Sequence, residues 1–173
     1  MYDISPNANA TIYDFTVGKK LAELDKTPEA IKYFAEKADG LTDFSYWFFL
    51  STCWVSYSGF SDLNLWKKLF SADRSKKLKS IMKPSEYEEY ERLGWFVTVY
   101  RAHREGETDW IAYTMNKDIA FRFAREREVH AIREYKVKKR DITAVFLRRE
   151  EDEVIIVNKD CVSFVKEHTV PEQ

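Results

Sequence analysis

Cysteine is scarce in this chain of 173 residues, which contains only Cys53 and Cys161. Both cysteines lie among apolar residues, so the sequence predicts buried thiols in a reducing compartment rather than a disulfide framework. A zinc site is not indicated either, and we expect no metal cofactor.

An excess of charge of either sign is also lacking, because 28 Lys and Arg residues nearly balance 29 Asp and Glu residues, for a formal net charge of −1. Without a basic field over the whole protein, contact with nucleic acid or an anionic membrane would have to be local. The basic run at residues 136–140, Lys-Val-Lys-Lys-Arg, leaves a nucleic-acid partner open. A solvated turn is the interpretation that such a short charge run favours.

We expect neither a targeting signal nor a membrane-spanning segment in this sequence. Residues 1–6 show no basic flank followed by an apolar run, so we expect no secretory signal and a cytoplasmic location. The apolar segment at residues 42–55 predicts a core helix, because it is too short and too polar to span a bilayer. No membrane partner is therefore predicted, and no internal repeat is found.

The sequence changes character at Gly94. Before it, helices are predicted from Thr27-Pro28-Glu29, at residues 42–55 and 63–70, and from a capping box at Ser85-x-x-Glu88, with a turn at residues 56–59 and 61–62. After it, strands are predicted at residues 95–100, 129–135, 142–147 and 154–157, with a helix at 117–126. We predict an α+β fold in which a helical lobe (1–93) and a strand-rich core (94–173) form one compact unit.

The candidate chemistry begins with a carboxylate cluster, residues 150–153, that runs into an apolar strand. On an extended backbone Glu151 and Glu153 point to one side, while Val154 and Ile156 point to the other. A strand end would hold this acid pair rigidly beside a cleft, as a catalytic carboxylate requires. The alternative is a solvated charged segment that prevents aggregation of the apolar strand that follows it.

Two further groups lie upstream of the acids. Arg101 ends a predicted strand, where its planar guanidinium suits a diphosphate or a carboxylate, or an ion pair at the strand edge. Tyr113 and Thr114 lie on a short predicted strand that leads into a helix, for which Asn116 is a suitable N-cap. Amides at a helix N-terminus favour anions and a ring can stack on a base, so this corner suits a nucleotide. Core packing of Tyr113 and Thr114 is the alternative.

In this order the three groups resemble the Arg-Ser-Glu arrangement of mono-ADP-ribosyltransferases. The resemblance covers roughly residues 95–157, and the order of the motifs is more specific than any one of them. The aromatic helical lobe is similar to the lobe that precedes this core in small phage and bacterial members. The matching segments are Tyr100-Arg101-Ala102 for Tyr-Arg-Gly, residues 111–116 with Ala120-Phe121-x-Phe123-Ala124 for the Ser-Trp-Thr corner and its helix, and Asp141-Ile142-x-Ala144-Val145 with Glu151-Asp152-Glu153-Val154 for the final strand pair.

The resemblance implies an ADP-ribosyltransferase-like split β-sheet, with NAD as substrate and ADP-ribose transferred to a macromolecule. A protein acceptor in a host or competitor cell is the partner most typical of such an effector. Glu153 would bind the ribose 2′-hydroxyl, and Glu151 would engage the acceptor. Arg101 would hold the diphosphate or adjoining ribose, and Tyr113 would line the nicotinamide pocket. Ala112 stands where the family commonly has Ser, so that hydroxyl's contacts would come from Thr114 or from the backbone.

Three alternatives remain open from the sequence. An NAD glycohydrolase would use water in place of the acceptor, and Glu151 is the residue that separates the two activities. A catalytically silent protein could keep the fold as an inhibitor or binding module, for which Ala112 is the main argument. A His-Tyr-Glu set would use His103, Tyr113 and Glu153, although His103 lies two residues past the strand end, where a loop is predicted.

Overall fold

The computed structural model describes residues 3–57, 59 and 62–171. Within these residues the protein is an α+β structure with a helical N-terminal region and a six-stranded antiparallel sheet. The chain forms two compact units, with the boundary between Glu88 and Glu89. The turn predicted at residues 56–59 and 61–62 includes Ser58 and Ser61, which lie outside the described residues.

Seven α-helices are found in the described part of the chain, and most lie where the sequence predicts them. The helix predicted at residues 63–70 is confirmed in full, and the one predicted at 42–55 is shifted by a single residue. The helices are α1 (Ile12–Glu23), α2 (Pro28–Lys37), α3 (Asp43–Ser56), α4 (Leu63–Phe70), α5 (Lys77–Ile81), α6 (Pro84–Arg92) and α7 (Lys117–Glu126).

Two predicted caps differ from the observed ones. Thr27 precedes α2 as expected, but its hydroxyl donates backwards to the Leu24 carbonyl at 2.7 Å instead of accepting from the helix. The box predicted at Ser85 is wrong, because α6 begins at Pro84 and the capping carboxylate is that of Glu86, which accepts from the Lys83 amide at 2.8 Å. Both helices nevertheless begin with proline, whose fixed φ favours the first turn.

The helical unit packs an aromatic core around α3. Trp47 and Leu50 have no exposed surface, and the Trp47 indole donates to the Ser75 carbonyl at 2.9 Å. Asp14 is also fully buried; its carboxylate accepts from the Thr11 amide at 2.6 Å and from the Thr42 amide at 3.0 Å. Burial raises the pKa of Asp14, but these hydrogen bonds outweigh burial and lower the pKa below its usual value. One carboxylate thus secures the starts of α1 and α3.

The second unit is an antiparallel sheet with strand order β4-β5-β2-β1-β3-β6. Its two halves meet at β1 and β2, which pair at Tyr100 and Thr114. The edge strand β6 was not predicted, and both of its faces are largely exposed. The strands are β1 (Phe96–Arg101), β2 (Ala112–Thr114), β3 (Ala131–Lys138), β4 (Ala144–Phe146), β5 (Glu153–Ile155) and β6 (Val162–Thr169).

Helix α7 covers part of one face of this sheet. Its bounds are those predicted, and the Asn116 side chain caps it by accepting from the Asp118 and Ile119 amides at 3.0 and 3.4 Å. Ala120 and Ala124 are fully buried against the sheet. Small side chains on α7 allow a close approach, so the helix fixes the β2–α7 corner relative to the strands.

The two thiols have different surroundings. Cys53 on α3 is buried, as predicted, and burial raises its pKa to about 12. Cys161 ends a short 3₁₀ turn before β6 and is partly exposed, in contrast to the prediction. Among the described helices, none combines the length and apolar character needed to cross a bilayer.

Candidate functional site

The strand order brings the sequence motifs onto three neighbouring strands. β1 carries Arg101, β2 carries Tyr113 and Thr114, and β5 carries Glu153, and these strands are consecutive in the sheet as β5-β2-β1. In the register, Thr114 lies opposite Tyr100 on one side and opposite Glu153 on the other. Segments that are far apart in the chain therefore meet at one end of the sheet.

The predicted site residues separate into two groups across the sheet. Residues paired across antiparallel strands share a face, so Thr114 and Glu153 project on the same side. Tyr113 alternates to the opposite side, which it shares with Arg101 and with Tyr135 of β3. We call these sides the Glu153 face and the Arg101 face.

The acid pair is held together by an arginine and not by strand periodicity. β5 begins at Glu153, and the neighbouring residues Glu150 and Asp152 have φ of 54° and 44°, so the segment is a turn and the predicted extended alignment is wrong. Arg149 joins the two acids instead, with Nε 3.1 Å from Glu151 Oε2 and Nη2 3.0 Å from Glu153 Oε1. The two carboxylates remain neighbours, and Glu153 is 7% exposed.

Hydrogen bonds from the β2–α7 corner impose this turn. The Thr114 hydroxyl donates to the Glu151 carbonyl at 2.7 Å and accepts from the Asn116 amide at 3.0 Å. The Met115 amide donates to the Asp152 carbonyl at 2.9 Å, and Asn116 Nδ2 donates to the Asp152 carboxylate at 3.2 Å. Thr114 and Asn116 therefore position the acid turn, and Asn116 also occupies the α7 amides that the sequence suggested for an anion.

On the Arg101 face, Arg101 is bound to Glu107. The Arg101 Nε and Nη2 atoms lie 3.0 and 2.5 Å from the two carboxylate oxygens of Glu107, and Nη1 donates to the Ala112 carbonyl at 2.6 Å. Gly106, with φ of 71°, turns the chain so that Glu107 returns to the strand end. The planar fork of Arg101 thus engages a carboxylate, the ion-pair alternative that the sequence left open.

A hydrogen-bonded aromatic cluster surrounds this ion pair. His103 Nδ1 lies 3.0 Å from Glu107 Oε2, and His103 Nε2 lies 2.7 Å from the Tyr135 hydroxyl. The Trp110 indole donates to the Tyr113 hydroxyl at 2.7 Å, and its ring lies edge-on to the His103 ring at 4.2 Å between centroids. Burial raises the pKa of Tyr113 to about 12, so its hydroxyl stays protonated at neutral pH.

Glu107 should remain ionised far into the acid range. Burial raises its pKa, but hydrogen bonds from His103 and Arg101 outweigh burial and lower the pKa to about 2, from an ordinary value of 4.5. A carboxyl group whose pKa is lowered by folding stabilises the fold at pH values above its unfolded-state pKa. This stabilisation is lost as the pH falls toward the folded-state pKa of about 2. We expect Glu107→Gln to be less stable than the wild type at pH 7.

The difference in stability between the wild type and Glu107→Gln should become smaller below about pH 4.5. Urea unfolding between pH 7 and pH 3 measures it as a difference in the free energy of unfolding. Glu105→Gln, at an exposed position in the same loop, is the matched control and should change stability little at any pH. A Glu107→Gln difference that stays constant over this range would contradict the assigned ion pair.

Four residues of the site could not be singled out from the sequence. Glu107 lies in a loop without a motif. Trp110 begins the segment of the short predicted strand that carries Tyr113, but the sequence gives it no role, and Tyr135 is one of several aromatic residues in predicted strands. Arg149 directly precedes the acid cluster, and that adjacency was the one available signal. Among the described residues, no three His, Cys, Asp or Glu side chains are grouped as metal ligands would be.

Comparisons of the chain with protein-family models, with curated proteins and with solved structures gave no match. The site must therefore be interpreted from its own geometry and from the motif resemblance.

Proposed function

We propose that the protein transfers ADP-ribose from NAD to a macromolecular acceptor, a protein being the acceptor class we favour. The observation that supports this most is the strand order β5-β2-β1, which places the three motif-bearing segments side by side. The α+β fold class predicted from the sequence is also observed. The finer ADP-ribosyltransferase-like identity of the sheet is part of this proposal.

Glu153 is the residue we assign to the chemical step. Cleavage of the bond between nicotinamide and ribose builds positive charge on the sugar, so a fixed carboxylate beside the ribose stabilises the transition state more than the ground state. Glu153 is buried on a strand, where lower polarity strengthens its field and its position needs no reorganisation. In this proposal it also accepts a hydrogen bond from the ribose 2′-hydroxyl.

Glu151 is assigned to the acceptor. It lies outside the strand, and its carboxylate already contacts a guanidinium, that of Arg149, with 3.1 Å between Nε and Oε2. An acceptor that carries a guanidinium could replace Arg149 at the Glu151 carboxylate by the same kind of charge-assisted contact, which leaves Glu153 to the ribose. The side chains of Arg149 and Glu151 are 24% and 23% exposed, so solvent reaches this ion pair.

The Arg101 face is assigned to binding. Arg101 keeps two terminal N–H groups beyond those bound to Glu107 and Ala112, and these can donate to a diphosphate or a ribose oxygen. Tyr113 offers an aromatic wall, and both Tyr113 and Arg101 lie on the face opposite Glu153. The His-Tyr-Glu alternative gains one observation, since His103 lies within the same cluster as Tyr113, between Trp110 and Tyr135.

Two other functions compete with this proposal. An NAD glycohydrolase needs Glu153 but not an acceptor-binding Glu151. A silent inhibitor or binding protein is favoured by Ala112 and by the commitment of the Thr114 hydroxyl to backbone partners, since neither residue then offers a free hydroxyl to nicotinamide. A phage or bacterial effector that modifies a host or competitor protein remains the biological setting we propose.

The experiment that separates these functions measures nicotinamide release and labelling in parallel. The wild type, incubated with NAD labelled in its adenosine half and with a bacterial lysate, should release nicotinamide and label a protein band that resists nuclease. Glu151→Gln should lose labelling while slow nicotinamide release continues, because water needs no docking to an acceptor site. Glu150→Gln, the exposed neighbouring acid, is the matched control and should keep both activities.

Each other outcome points to one alternative. Nicotinamide release without labelling by the wild type identifies a glycohydrolase. Label that nuclease removes identifies a nucleic-acid acceptor. A folded wild-type protein that never releases nicotinamide rejects the transferase proposal in favour of a silent protein.

A further inference from the structure

We propose that the second unit carries a binding surface for single-stranded nucleic acid at the end of the sheet where β1 begins. The surface surrounds an open cavity of about 630 Å³. We call it the Trp95 surface; its described lining residues are Tyr90, Leu93, Gly94, Trp95, Phe96, Lys138, Lys139 and Arg140. This inference goes beyond the transferase proposal and does not depend on it.

Aromatic exposure is the first observation. Trp95 is 90% exposed and Phe96 is 63% exposed, although both are large apolar side chains at the start of β1. Leaving two large apolar side chains in water is unfavourable, and exposed apolar side chains around one cavity are typical of interaction sites. Both rings also present a π-face, which every nucleic-acid base can stack on.

Positive charge around these rings is the second observation. Lys138 lies directly opposite Phe96 in the β1–β3 register, and the Lys139 amide donates to the Trp95 carbonyl at 3.0 Å. Lys136 and Arg140 extend the same basic run and are exposed. Four cations within five residues, beside two exposed rings, form a local positive field on a chain whose net charge is −1.

Few contacts within the protein neutralise the basic residues of this surface. Arg140 contacts Asp141 at 3.8 Å, but 77% of its side chain is exposed. Lys139 donates to the Glu91 backbone carbonyl at 2.9 Å and lies over the Tyr90 ring, a position that orients its stem along the cavity wall. Lys136, Lys138 and Arg140 therefore remain available to phosphates, while the described cavity lining itself contains no carboxylate.

Single strands fit this surface better than duplexes. Exposed rings can stack only on unpaired bases, and a groove that combines aromatic rings with lysine and arginine is the arrangement used for sequence-tolerant binding of single strands. A rigid duplex would contact the cations alone. We therefore assign the surface to unpaired DNA or RNA, read through phosphate charge and base stacking.

Fluorescence anisotropy with labelled oligothymidine and oligouridine tests the assignment in the full chain. We expect the wild type to bind either strand at low salt, and Trp95→Ala to weaken binding by about tenfold or more, the loss of one stacked base. Phe15→Ala, which removes a ring that is 70% exposed on α1, is the matched control and should bind like the wild type.

Salt dependence separates the charges from the rings. Lys138→Gln/Arg140→Gln should reduce the slope of log affinity against log salt by about 1.4, because each phosphate contact on a single strand contributes about 0.7. Lys19→Gln/Lys20→Gln removes the same charge from exposed positions on α1 and should leave the slope unchanged.

Several results would overturn the assignment. They are failure of the wild type to bind either strand at low salt, equal losses in the Trp95 and Phe15 variants, and equal slopes in the two double variants. Tighter binding of a duplex of the same length, or of phosphatidylserine vesicles, would instead assign the surface to another partner. Nicotinamide release is not used as a readout, so this test is independent of the transferase proposal.

Discussion

Glu153→Gln is expected to lower nicotinamide release by about 10²- to 10³-fold, the loss typical of removing one preorganised electrostatic partner. The substitution keeps the shape of the side chain and removes its charge, so NAD binding should persist. The expectation follows from the burial of Glu153 and from its position on β5 beside the motif strands. Calorimetry for NAD binding and a nicotinamide assay on the same preparation measure the two effects.

A matched control is needed because removing any buried carboxylate perturbs a fold. Glu86 provides it: this acid is 1% exposed, caps α6, and has no role in the proposed chemistry. Glu86→Gln should change stability but not the rate of nicotinamide release per folded molecule. If Glu153→Gln released nicotinamide at the wild-type rate, the catalytic carboxylate would have to be sought elsewhere.

Trp47→Ala is expected to cost about 3–5 kcal/mol in the free energy of unfolding, the usual range for deleting a large buried aromatic side chain. Trp47 has no exposed surface, donates a hydrogen bond to the Ser75 carbonyl, and packs edge-on against Tyr46 with 4.9 Å between ring centroids. The core helix predicted at residues 42–55 would bury Trp54 as well, but Trp54 is only partly buried, so its replacement should cost less.

Denaturant unfolding measures this loss, and Phe48→Ala is the matched control. Phe48 is the next residue on α3, yet it is 40% exposed, so its truncation should cost well under half as much. Nicotinamide release should fall only in proportion to the unfolded fraction. A stable Trp47→Ala protein would mean that the helical unit repacks around the cavity.

Local signals in the sequence were sufficient for part of this fold. Helix α7 was predicted with its observed bounds because Asn116 caps it and its small apolar residues recur at helical spacing. Strand β6 was missed because it is an exposed edge strand, whose pairing depends on β3 and not on its own hydrophobic pattern. The capping box predicted at Ser85 is misplaced, because the carboxylate that caps α6 is that of Glu86, which accepts from the Lys83 amide.

The sequence suggested candidate residues for the site, but it could not give their arrangement. Spacing alone suggested that Glu151 and Glu153 share a strand, but left-handed conformations at Glu150 and Asp152 prevent it. Such conformations are uncommon outside glycine, and here tertiary hydrogen bonds from the β2–α7 corner impose them. The role of Glu107 could not be predicted for a similar reason: it becomes the partner of Arg101 only because the chain turns at Gly106.

The unequal thiols make the chain suited to attachment of a single reporter. The Cys53 side chain is buried with its pKa raised to about 12, so at neutral pH it stays protonated and inert toward maleimides. Cys161 is partly exposed and precedes Val162, which pairs with Val137 beside Lys138. A fluorophore attached to Cys161 therefore sits at the border of the Trp95 surface. There it would report the binding of single-stranded nucleic acid without an introduced cysteine.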